Sequence, residues 1–270
     1  MAAMLLTAAT GFAQEEAEKP YVYVSLFENA TNVSGYRAYI DKMRSEVIAG
    51  LMNTQRVEVL DATTQNLSAN KNEKLAELHE KGCNYVLEGK LNSIATGMAY
   101  DKKNRSANVG YTLTVIDTET KLTKASKNFS ETGIGENDGA AIQSAVSDVH
   151  KRMRKFVDDH FKVAAIIKAI DLVDEKKGVV KTCYITMGSA LGIQKGQIFE
   201  VFAETEVAGE MISKKIGELK AKEVLSTKLT LCDVKNGGDQ IKKFSDSKTT
   251  MTVQTRATKD VFGLRNLIAN

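Results

Sequence analysis

Apolar residues recur along this chain with two different periods, and the changes between them mark out its elements. Residues 21–27, YVYVSLF, alternate and are β-branched or aromatic, which predicts a first strand. After a polar run at 28–34, Tyr36, Tyr39, Ile40, Met43, Val47, Ile48 and Leu51 fall at helical spacing, predicting an amphipathic helix over 35–53 that covers one sheet face. A short second strand at 56–60 follows. A second helix at 72–81 then turns Leu75 and Leu78 inward and ends at Gly82. Residues 82–96, GCNYVLEGKLNSIAT, predict the central strand, with Tyr85, Leu87 and Leu91 sharing a face. Val109, Tyr111, Leu113 and Val115 alternate next, a turn near 118–120 reverses the chain, and 122–130 returns. These three strands make an antiparallel meander. A glycine-bearing loop at 133–139 leads into one long helix over 140–161, with Ile142, Val146, Val149, Met153, Phe156 and Val157 on its core side.

From residue 163 the pattern changes to short strands, at 164–173, 179–185, 198–202, 215–225, 227–234 and 250–256, which suggests a small barrel or sandwich. The last segment carries Val261, Phe262, Leu264, Leu267 and Ile268 and predicts a docked terminal helix, with a partner-binding tail as the alternative. The expected class is α+β. It has an N-terminal mixed sheet with an antiparallel meander flanked by helices, and a C-terminal small SH3-like β-barrel. The expected organisation is a signal peptide at 1–14, a polar leader at 15–20, an α/β domain at 21–162, a barrel domain at 163–257 and a tail at 258–270.

The signal peptide is read from a short apolar core at 4–12, small residues around Gly11 and Ala13, and the acidic run that follows. A basic stretch before the apolar core is absent. The core is far shorter than the ~20 residues of a membrane-spanning helix, and no cysteine follows it to take a lipid. The expected location is periplasmic or secreted, with outer-membrane association arising only through a partner.

Composition narrows the function classes. Of 270 residues 43% are hydrophobic, enough to fill real cores, and 26% are charged with a net formal charge of +3, so no global field recruits nucleic acid or an anionic membrane. Lys214, Lys215, Lys220 and Lys222 cluster, but Glu206, Glu210, Glu218 and Glu223 interleave with them, as on solvated strand edges. Cys83, Cys183 and Cys232 exclude a dense disulfide framework and any CxxC motif; a Cys183–Cys232 bridge and buried free thiols both stay open. His79, His150 and His160 form no HExxH or HxH pattern. His150 and His160 lie ten residues apart on one predicted helix, about 15 Å along its axis, too far to share a metal. The run GIGENDG looks superficially like a phosphate loop, yet no Lys-Ser/Thr follows it and Glu136 and Asp138 would repel an anion. No catalytic, cofactor-binding or metal residue is assigned, and no cofactor is expected.

Two segments carry a resemblance. The segment Gly82 to Gly89, GCNYVLEG, and the hairpin at 115–121 resemble the strand start and the hairpin of the family of the curli secretion channel subunit (CsgG) and the penicillin-binding-protein activator LpoB; Lys121 stands where a hairpin glycine is usual. The likeness covers residues 21–161. Gly192 to Val201, with glycines at 192 and 196 ahead of an alternating strand, is similar to the C-terminal barrel of the flagellar assembly protein FlgT. These resemblances imply a non-enzymatic accessory or assembly protein of the cell envelope that acts on unidentified protein partners, with its docking surfaces at the open edges of the meander and in the grooves between the two domains. Pore function does not carry over, because the candidate insertion points at 97–106 and 133–139 are short and polar. The rival expectation is a soluble enzyme or small-ligand binder with its site at the domain junction. A ring-forming homo-oligomer is the third.

Overall fold

The computed structural model describes residues 19–31 and 33–256. The predicted signal peptide at 1–14 and the terminal segment at 258–270 lie outside the described residues.

The first half is one mixed sheet with helices on it. Strands β1 (Tyr21–Val24), β2 (Glu28–Asn29), β3 (Glu58–Asp61), β4 (Tyr85–Met98), β5 (Arg105–Asp117) and β6 (Thr123–Gly135) run in the order β3-β1-β4-β5-β6, with β2 paired to β4. β1 is parallel to β3 and β4, whereas β4, β5 and β6 form the antiparallel meander. Helices α1 (Arg37–Asn53), α3 (Asp138–Ser147) and α4 (His150–His160) cover one face, where Val47, Leu51, Leu91, Val109, Leu113, Val146 and Met153 are almost wholly buried. Helix α2 (Lys71–Glu80) covers only a corner of the other face, packing Leu75 and Leu78 on Tyr23, Val86 and Ile116. Asn70 caps it, accepting from the backbone N–H groups of Asn72 and Glu73.

Two details depart from the sequence expectation. The predicted single helix over 140–161 is broken at Asp148 and Val149, where successive i→i−3 hydrogen bonds tighten the chain. The two pieces serve different surfaces: α3 packs on β5 and β6, while α4 lies against α1, with Met153 over Gly50. The predicted glycine loop is also largely taken up by its neighbours, with 133–135 in β6 and 138–139 in α3. Gly133 and Gly135 lie in β6 beneath α3, where an added Cβ at Gly133 would come within 2.2 Å of the Ala141 carbonyl and the Ala145 nitrogen. These glycines admit a helix rather than a phosphate. Asp138, in the first turn of α3, is instead held by Arg105 at 2.5 Å and by the Thr96 hydroxyl at 3.1 Å.

The second half closes into a six-stranded antiparallel barrel. Strands β7 (Ala164–Asp174), β8 (Val179–Ile185), β9 (Ile198–Val207), β10 (Glu210–Val224), β11 (Thr230–Asn236) and β12 (Met251–Thr255) run in the order β10-β11-β8-β7-β12-β9. Phe199, Val201, Leu219, Cys183 and Val253 fill it. Ala208 and Gly209, both with positive φ, make the tight turn between β9 and β10, so this pair extends further than the alternation alone indicated. Helix α5 (Gly238–Asp246) was not predicted: only Ile241 of its turns is fully buried, and the glycine pair before it reads as a loop. All three cysteines are free and buried. Cys183 and Cys232 face each other across β8 and β11, and burial pushes Cys83 up to about 11 and Cys183 up to about 12, so neither is a thiolate near neutral pH.

Candidate functional site

The meander ends at β6, which among the described residues pairs only with β5. Alternate residues along its thirteen positions therefore turn N–H and C=O groups away from the sheet, a template on which a further strand can pair. Helix α4 runs beside this edge on the core side of the sheet. Between them lies a groove of about 260 Å³, floored by Phe129 and Phe156 and flanked by Lys127, Arg152, Lys155 and Asp159.

The floor is rigid for identifiable reasons. Phe129 stacks on Tyr111 with ring centroids 5.1 Å apart, Phe156 meets Phe129 edge-on at 5.9 Å, and Phe161 and Tyr85 extend the cluster into the core. Glu131 projects from the same face of β6 and is only 5% exposed. It is held by Arg152, whose Nε and Nη2 donate at 2.8 and 3.2 Å, and by the Tyr111 hydroxyl, which donates at 3.5 Å. Burial next to the Glu131 carboxylate pushes the Tyr111 phenol well above its ordinary value, so it stays a donor. Because Arg152 is spent on Glu131, the groove presents Lys127 and Lys155 against the single carboxylate of Asp159. His160 meets Phe156 edge-on with ring centroids 4.8 Å apart and with Nε2 buried and unpartnered, and burial lowers its pKa.

The junction with the barrel is of the opposite kind. Arg56, 1% exposed, forms an ion pair with Asp158 of α4 and donates from Nη2 to Gln197 Oε1 of the barrel at 2.6 Å. Burial and the neighbouring Arg154 lower the Arg56 pKa to about 10. Gly192, at φ 60°, lies so close to the Thr54 carbonyl that a Cβ would approach it to 2.0 Å. Arg56 and Asp158 pair with each other, whereas Arg154 stands beside them as a second cation with no ion pair among the described residues and Arg56 Nε is buried without a hydrogen-bond partner; neither groove described in this protein lies among these groups. The three histidines sit apart as expected, and among the described residues no three His, Cys, Asp or Glu side chains are grouped to hold a metal ion. The clustered lysines of the barrel are engaged in part: Lys215 bridges Glu200 and Glu218, and Arg256 reaches the same two carboxylates.

Sequence reasoning placed the open meander edge but missed the groove, since nothing in the spacing of α4 showed which of its residues would flank β6. The signal was available in part: Lys127, Phe129 and Glu131 alternate and share one face with Ala125.

No helix of the described residues is long and apolar enough to cross a membrane. No family model and no curated protein matches the chain. Among solved structures, PelC from Paraburkholderia phytofirmans is similar at 18% identity over 52% of this chain and 93% of that one, with a TM-score of 0.36. The lipoprotein GNA1162 from Neisseria meningitidis is similar at 13% identity over 48% of this chain and 97% of that one, with a TM-score of 0.34. The LpoB C-terminal domain from Escherichia coli is similar at 15% identity over 43% of this chain and 83% of that one, with a TM-score of 0.31.

Proposed function

We propose that this chain is a non-enzymatic accessory or assembly protein of the bacterial cell envelope that acts through protein–protein contacts, and that β6 with the groove beside α4 is its docking surface. The observation that carries the proposal is the thirteen-residue β6 edge, unpaired among the described residues, lying next to a groove with an aromatic floor. A partner segment adds as a strand to β6, places an apolar side chain over Phe129 and Phe156, and sets acidic neighbours against Lys127 and Lys155. Residues 21–162 and 163–257 act as two domains in this reading, latched through Arg56. The N-terminal pattern at 1–14 supports export to the periplasm or beyond, and the segments that resemble the curli channel subunit, LpoB and FlgT support an envelope assembly role.

Affinity capture from envelope extract, run with the exported chain and with a Lys127→Glu/Lys155→Glu variant, tests this. A stoichiometric partner is expected with the parent chain and roughly tenfold less with the variant. Equal recovery by both, or no stoichiometric partner together with a monomer by light scattering, would overturn it.

A further inference from the structure

The opposite face of the same sheet carries a second and larger groove, about 590 Å³, where the turn before α2 overhangs β4 and β5. That volume is in the range of small-ligand sites, and its chemistry differs from the β6 groove. The floor holds Asn92 and Thr112, where Asn92 Nδ2 donates to Thr112 Oγ1 at 2.7 Å; Thr112 Oγ1 in turn donates at 2.6 Å to Asn128 Oδ1 on β6, just beyond the lining of the groove. The polarity of this row is set by its own bonds. It leaves the Asn92 carbonyl oxygen as an acceptor at one end and the Asn128 amide as a donor at the other, separated by two strand spacings, or roughly 10 Å. Thr114 and Ser126 form a parallel row one step along at 3.1 Å, either hydroxyl able to donate.

Charge on the groove balances. Glu28 and Glu88 face Lys74 and Lys90. Glu88 is paired with Lys71 at 3.2 Å, and Lys74 lies over the Tyr23 ring at 5.9 Å. Glu28 and Lys90, register partners on β2 and β4, have no ion pair or side-chain hydrogen bond among the described residues. An anion would meet Glu28 and a cation would meet Lys90, whereas a ligand with many hydroxyls can satisfy both, donate to the Asn92 carbonyl oxygen within the groove and, as a chain extending past it, reach the Asn128 amide. Leu26, 53% exposed, supplies an apolar wall for a pyranose ring edge.

We infer that this groove binds an uncharged, polyhydroxylated ligand, the segment of a neutral glycan chain. The two grooves share no lining residue, but Asn128 at the far end of the row also lines the β6 groove, so Asn92 and Thr112 are the positions that separate the two readings.

The test is an amide-resolved NMR titration of the folded chain with maltotriose and, separately, with tri-N-acetylchitotriose. Each arm reads which neutral glycan chemistry fits. The expected result is saturable shifts at Asn92, Thr112, Thr114 and Asn128 with a Kd of roughly millimolar order for at least one sugar. Affinity should fall about tenfold in Asn92→Ala/Thr112→Val. Asn128→Ala, at an exposed position of the same row, should show the same direction should the double variant fail to fold. The inference is overturned by any of three results: no saturable shift in that row with either sugar, the same shifts from glycerol at matched hydroxyl concentration, or tighter binding of glucose 6-phosphate or glucosamine than of the neutral sugars.

Discussion

Individual side chains in this protein titrate or pack according to what encloses them, and two make measurable predictions. His160 packs edge-on against Phe156 with a buried Nε2, and burial holds its pKa below the ordinary histidine value. Below about pH 6.5 the unfolded chain binds a proton at this imidazole that the folded chain does not, so stability falls as the pH drops through that value. Thermal unfolding from pH 7.5 to 5.5 should show this loss, and His160→Gln should flatten the slope. Asp61 works at the acid end. Its partial burial favours the neutral acid, but hydrogen bonds from Arg44 at 2.5 Å and from the Thr63 hydroxyl and backbone outweigh that and bring the pKa down to about 2. Its contribution is complete above about pH 4 and is lost as the pH falls through 2. Asp61→Asn should therefore reduce stability at pH 7 and change little at pH 2, as read by urea unfolding at the two values.

At the scale of elements, legibility followed exposure of pattern. The strands of the meander alternate cleanly because one face is buried beneath α1, α3 and α4, and Val109, Tyr111, Leu113 and Val115 all point into that layer. Their order and pairing were readable. The break between α3 and α4 was not, because Val146, Val149 and Met153 keep a helical spacing through it and are all buried. Only the tertiary surfaces on either side separate the two helices. Gly133 and Gly135 misled for a related reason. Glycine signals a loop when backbone freedom is the need, but here the need is room for α3 to approach β6. Gly133→Ala should cost about 1–3 kcal/mol, measured by denaturant unfolding, because the clash is with helix backbone that cannot turn aside. The β6 groove was half legible: its strand contributes a readable face, while Arg152, Lys155 and Asp159 reach it only once α4 is docked.

For the whole molecule, the decisive contact between sheet and barrel is Arg56 with Asp158 and Gln197. Replacing only Arg56 leaves the Asp158 charge enclosed without its partner, so Arg56→Ala should cost about 3–5 kcal/mol, whereas Arg56→Met combined with Asp158→Leu should recover most of that loss. Calorimetry of the two variants separates the cases. A hinge or an open cleft at the junction would give small effects for both. No feature of the sequence marked Arg56 for this role, since a lone arginine before a strand is ordinary until residue 197 folds onto it, 141 positions later. The filled junction favours the reading in which the work of the protein is done on its outer surfaces.

Hydrogen exchange of the chain, alone and bound to its captured partner, tests that reading most directly. The account predicts slowed exchange across β6, within 123–135, and across the facing side of α4, with the junction at 54–56 and the β9–β10 hairpin unchanged. Protection confined to the barrel or the junction, with β6 exchanging as it does in the free chain, would contradict it.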